Sequence, residues 1–210
     1  MKKLLLAGLV AISSLALAQA DFSKGLAGVI QTLASEDMFY TGIEIPTLKK
    51  LMSNPGKEET VTYNLKDAGG FEMSYKVKKS QGFVQIFESK MTYWVTFSAF
   101  LTSDDILVGM VTSAQKASNG RGNDLQFFSI AKKKPVSPVG AKWYKAVTDF
   151  ANGKCKVPIE NIHFELKENA DDIKISGFDI FLTGKKYTLS GVLKIGEKGE
   201  ITFDPKTAKC

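Results

Sequence analysis

The chain has 210 residues, 28 of them basic and 22 acidic, for a formal charge of +6. Arg121 is its only arginine, so the basicity is almost all lysine. Nucleic-acid surfaces use the bidentate arginine fork alongside lysine, so the charge reads as a solvated surface, with no nucleic-acid partner. One histidine and two cysteines are too small an inventory for a zinc site built on several His or Cys ligands, so neither metal nor cofactor is expected.

Residues 1–20 read as a cleaved signal peptide. Lys2 and Lys3 precede an apolar run from Leu4 to Leu17, and Ala18-Gln19-Ala20 is a small-x-small cleavage site. The run is shorter than the roughly 20 apolar residues a spanning helix needs, so no transmembrane segment is expected after cleavage. Residues 21–210 are read as a single domain in the periplasm or outside the cell, its charge lowered to +4 by the loss of Lys2 and Lys3. In such an oxidising compartment Cys155 and Cys210 are expected to form a disulfide. Pinning the last residue across that loop is worth about 4 kcal/mol on the chain-entropy model.

The mature chain opens with Phe22, Leu26, Val29, Ile30 and Leu33, one stripe of an amphipathic helix ending near 35–37. A shorter helix starts at Pro46, runs through Leu48, Leu51 and Met52, and stops at Asn54-Pro55-Gly56. Strands follow at 61–65, 71–77, 83–87, 91–101, 106–111 and 125–131, joined by short turns that favour antiparallel neighbours. Lys132-Lys133-Lys134-Pro135 breaks the pattern, and the break extends over 132–140. Trp143, Val147 and Phe150 then mark a helix over 141–151, with Gly153 as a candidate C-cap. Strands at 162–166, 173–182, 187–195 and 201–203 close the chain, the last two as a hairpin through Gly196-Glu197-Lys198-Gly199.

The pattern predicts an α+β fold: a strongly curved, mostly antiparallel, half-barrel-like sheet with the N-terminal helix and the 141–151 helix packed on it. Phe71, Met73, Tyr75 and Val77 alternate with polar residues, as in a sheet with one wet face. The next strands do not. Val84, Ile86, Trp94, Phe100, Leu107, Val111, Phe128 and Ile130 occupy positions where polar residues would otherwise sit, so a second face must also be shielded.

Catalytic signatures are missing. His163 sits on the polar side of an alternating strand with Glu165 and Lys167, no Gly-x-Ser-x-Gly elbow is present, and no Gly-rich phosphate loop appears. A hydrolytic site would require His163, Glu165 and an acidic pair such as Asp104-Asp105 or Asp171-Asp172 to converge in one concavity. The second apolar face instead suggests a cavity lined by Trp94, Phe97, Phe100, Met110 and Phe128, suited to an acyl chain. The expected function is an exported, non-catalytic binding protein whose partner is an apolar small molecule or lipid. The alternative is a secreted interaction module that uses the same apolar surface for docking or oligomerisation.

Overall fold

The computed structural model describes residues 25–36, 38–39, 41–52, 60–66, 72–80, 82–88, 93–114, 124–136, 141–168, 172–179 and 184–210. Helix α1 spans Gly25–Ser35 and α2 spans Ile45–Met52. Seven strands follow: β1 Thr60–Lys66, β2 Glu72–Lys79, β3 Phe83–Glu88, β4 Tyr93–Leu101, β5 Ile106–Ala114, β6 Asp124–Ser129 and β7 Lys134–Val136. They form one antiparallel sheet in sequence order, with β1 and β7 at its two edges. Each strand pairs with the one before it, because the connections are too short for anything but a neighbour.

Helix α3, Lys142–Asp149, continues into a wide turn at Phe150–Lys154. The chain then builds a second antiparallel sheet from β8 Ile162–Glu165, β9 Asp172–Gly177, β10 Ser190–Ile195 and β11 Ile201–Phe203, in the order β11-β10-β9-β8. The class is α+β, as the sequence predicts, but there are two sheets rather than one.

Both faces of the seven-stranded sheet are apolar, and each is covered by a different part of the chain. On one face Val77, Val84, Ile86, Val95, Phe97, Val108, Met110, Phe128 and Ile130 pack under α1 and α2, with Leu26, Ile30, Leu48 and Leu51 buried against them. Phe39, in the link between the helices, sets its ring edge-on to Phe97 and Phe128 at 5.6 and 5.7 Å. On the other face Phe100, Leu107, Val111, Leu125 and Phe127 pack against α3 and the second sheet. Each fully buried aliphatic side chain in these layers contributes about 2 kcal/mol.

The N-terminal helix and the helix near 141–151 both pack on the seven-stranded sheet, as expected, but on opposite faces. Both N-terminal helices lie on one face, whereas the helix near 141–151 lies on the opposite face, where the four C-terminal strands supply most of the cover. Periodicity reports that a strand face is buried but not which segment buries it.

Several local readings also shift. Within the expected break at 132–140, Lys134–Val136 forms the short edge strand β7, with Pro135 opposite Phe128. Proline lacks the ladder donor, which an edge tolerates. Gly153 does not cap α3: it lies inside the wide turn, and the left-handed residue that redirects the chain is Lys156, with φ 57°. The β10–β11 hairpin forms as expected, with Gly199 at φ 77°. The expected strand over 173–182 ends at Gly177, and 185–189 precedes β10 without joining its ladder. The signal-peptide reading, the start of the first helix at Phe22, the stop at 54–56, and the expected strand residues Phe71, Met91 and Thr92 lie outside the described residues.

Candidate functional site

The five side chains expected to line one cavity divide between the two faces. Phe97, Met110 and Phe128 point to the helix-covered face, are essentially fully buried, and meet Phe39 and the aliphatic residues of α1 and α2. Phe100 points the other way and is buried beside Phe127. Trp94, on the same face as Phe100, is half-buried. The five do not line one enclosure, because neighbours of unlike parity along β4 project to opposite faces: Phe97 and Phe100 could never have shared a wall.

The face that carries Trp94 is crossed by the segment 164–168. Phe164 lies edge-on to Trp143 with ring centroids 6.4 Å apart, and Trp143 in turn meets Phe127 at 6.0 Å. Leu166 covers Gly109: a Cβ built there would lie 3.5 Å from Leu166 and 3.0 Å from Phe100. Glu168 reaches the amino group of Lys78 at 3.1 Å. Hydrogen bonds from Lys78 and Ser80 hold the Glu168 carboxyl below its ordinary pKa. From β6 through β5 to β2, the segment spans the sheet transversely.

To one side of this crossing the β10–β11 turn closes over the face, with Gly199 in contact with Leu107 and Thr102. To the other side lie two cross-strand rows. Gln85, Thr96, Val111 and Leu125 form the nearer row, and Phe87, Trp94 and Ser113 form the outer one. Thr96, Val111, Ser113 and Leu125 are buried and make a floor, whereas Gln85, Phe87 and Trp94 are half-buried and make a rim. Gln85 Nε2 donates to Thr96 Oγ1 at 3.0 Å, which holds the amide across β3 and β4. Tyr144 flanks this end of the sheet, edge-on to Trp143 at 5.6 Å. Burial, with a smaller contribution from the Asp124 carboxylate, raises the Tyr144 pKa, so its hydroxyl keeps its proton at neutral pH. An apolar rim with a neutral hydroxyl and an amide at its edges can seat an amphipathic molecule.

Of the residues considered for catalysis, His163, Glu165 and Asp172 share one face of the β8–β9 pair, whereas Asp105 lies at an end of the larger sheet. His163 is half-buried on β8, its ring 5.7 Å from that of Phe178. Burial lowers its pKa, with Glu165 opposing and Lys174 assisting the shift. Glu165 faces Lys174 at 3.6 Å. Asp105 is engaged elsewhere: it accepts from the Ser129 hydroxyl and from the backbone amides of Ile106 and Ala131 at 2.7 and 2.8 Å. Asp172 sits opposite Lys194 on β10, and Asp171 lies outside the described residues. Among the described residues no group of three or more His, Cys, Asp or Glu side chains is arranged to hold a metal ion. Cys155 and Cys210 form a disulfide.

Gln85 and Phe87 are the rim residues that sequence reasoning missed. The signal was present, since both share a face with Trp94 once β3 and β4 are paired, but the register that sets Phe87 opposite Trp94 is a tertiary fact.

The architecture defines a class: an α+β protein of two packed antiparallel sheets, with a helical pair on the outer face of the larger one. No known family and no curated protein matches the sequence. The fold is similar to that of a solved structure, a domain of an uncharacterized protein from Porphyromonas gingivalis W83, with a TM-score of 0.50 at 12% identity. The match covers 77% of this chain and 91% of that one.

Proposed function

We propose that the chain is an exported, non-catalytic binding protein for an apolar or amphipathic, lipid-like ligand, seated against the Phe87–Trp94 end of the larger sheet. The observation that carries this reading is the cross-strand pair itself: two large aromatics, half-buried and side by side, continue a face that is buried at Thr96, Phe100, Val111 and Leu125. Aromatic pairs of this kind supply large contact area at small entropic cost. Gln85, held by Thr96, and Tyr144 would meet a polar head at the margin of the apolar seat. Export to the periplasm or beyond is supported by the signal-like pattern of residues 1–20 and by the disulfide.

The test is a titration of the mature protein with a dansyl-labelled fatty acid, in a Trp143→Phe background so that Trp94 is the only tryptophan. Saturable binding with energy transfer from Trp94 is expected, and native mass spectrometry of freshly purified protein should show a bound lipid. Phe87→Ala should weaken the probe about tenfold, the scale of one well-buried aromatic contact. Absence of both saturable binding and co-purified lipid would remove the proposal.

A further inference from the structure

The other end of β4 carries a different feature. Leu101 is 84% exposed, the most exposed large hydrophobic side chain among the described residues. It pairs across the ladder with half-buried Ile106 and shares its face with half-buried Ala99. Ala99, Ile106 and half-buried Met38 all pack against the helix-side core, so Leu101 extends an apolar strip outward from that core.

A lysine run lies beside this strip. The amide of Ala131 donates to Asp105 Oδ1 and the amide of Ile130 to the Ile106 carbonyl, which holds the β6–β7 turn against the β4–β5 turn. The β6–β7 turn presents Lys132 and Lys133, both exposed, whereas Lys134 opens β7 opposite Ser129 and so belongs to the other face. Among the described residues, the acidic groups at this end are Asp104, Asp105, Glu197 and Glu36. Asp104 is exposed in the β4–β5 turn, and Asp105 is bound as described above. Glu197, in the β10–β11 turn beside Lys198, also reaches this end, where its carbonyl accepts from the Ser103 amide at 2.6 Å. Glu36 is exposed before Met38.

We infer that this end of the molecule is a contact surface for an anionic lipid bilayer, with Leu101 entering the headgroup layer and Lys132 and Lys133 lying against the lipid phosphates. An isolated apolar side chain held out by a rigid strand end, with adjacent lysines, combines the two weak forces that bring a protein to a membrane surface. An aqueous protein partner would more often be met by a larger apolar area, depleted of lysine. This surface does not depend on the Phe87–Trp94 seat. It lies about 24 Å away, at about 3.4 Å per residue along β4, and on the opposite face.

The experiment is co-sedimentation of the mature protein with phosphatidylcholine vesicles, with and without phosphatidylglycerol. Binding to the anionic vesicles and little to the neutral ones is expected, with release at about 0.5 M salt. Leu101→Ser should weaken partitioning about tenfold. Lys132→Ser with Lys133→Ser should weaken it about 25-fold, on roughly fivefold per lysine. All three positions are exposed, so the variants should melt like the wild type. Phe87→Ala should sediment like the wild type whether or not it binds the fatty-acid probe. Equal binding to both vesicle types, or variants at Leu101 and the lysines that partition like the wild type, would overturn the inference. Light scattering that finds a dimer split by Leu101→Ser would assign the patch to a second copy of this chain and overturn it equally.

Discussion

Asp105 shows how a single carboxylate can organise a sheet end. Its Oδ1 accepts from the amides of Ile106 and Ala131, its Oδ2 from the Ser129 hydroxyl, and its own amide and carbonyl bond to Thr102 Oγ1 at 2.9 and 2.8 Å. Two turns far apart in sequence are therefore held by one side chain. Asp105→Ala leaves two amides and a hydroxyl without their acceptor, and a loss of about 3 kcal/mol is expected in urea unfolding. Asp104→Ala, on the exposed neighbour, should change stability by less than about 0.5 kcal/mol. Sequence reasoning treated the two aspartates as one turn pair, because a turn preference is local and the partner at Ser129 is not.

His163 gives a pH dependence at the same scale. Burial makes the folded protein a weaker base at this site than the unfolded chain, whose histidine titrates near 6.5. Below that pH the unfolded state binds the proton more readily, so the contribution of His163 is complete above about pH 6.5 and declines as the pH falls through the lower folded value. His163→Gln should flatten this part of the stability profile in denaturation curves taken from about pH 7 to 5. A decline in His163→Gln as steep as that of the wild type would assign the dependence to other groups. The alternating strand pattern predicted a solvent-facing ring. The ring is instead half-buried near Phe178, a residue brought there by the pairing of β8 with β9.

At the scale of elements, the contact between the two sheets is set by close approach at Gly109. A Cβ there would stand 3.0 Å from Phe100, 3.4 Å from Phe127 and 3.5 Å from Leu166. Gly109→Val would force the 164–168 crossing off the sheet, at a cost of about 2 kcal/mol or more. Gly153→Ala, where a Cβ meets nothing within 4 Å, should be neutral or slightly stabilising in the same thermal melt. In sequence Gly109 reads only as a small residue inside an apolar strand. The strands themselves were legible because their alternation is dictated by the pleat: β3 to β6 fall within a few residues of their expected limits. The wide turn after α3 was not, since it rests on backbone bonds such as Val157 N to Ala151 O at 2.9 Å, which leave no side-chain periodicity to read.

For the whole molecule, the disulfide ties the chain end into the second layer. Lys209 exchanges two backbone hydrogen bonds with Ser190 at 2.8 Å each, Ala208 is buried in the second core, and Cys210 is bonded to Cys155 after the wide turn. Closing a sequence separation of 55 residues restricts the unfolded chain. Replacing both cysteines by serine should lower the unfolding free energy by about 4 kcal/mol, read as a drop in the urea midpoint. If the midpoint is unchanged, the chain end contributes nothing beyond its local contacts.

Composition and alternation alone gave the α+β class and the two apolar faces of the central strands, because these follow from side-chain periodicity read along the chain; that Cys155 and Cys210 bond within one chain is shown by the tertiary structure. The tertiary structure decided which segment covers each face, that Phe97, Met110 and Phe128 fill one core while Phe100 fills another, and that Trp94 lies at a margin beside Phe87. The reason is physical: a strand's pattern records that a side chain leaves water, but the partner that receives it is chosen by contacts between distant parts of the chain.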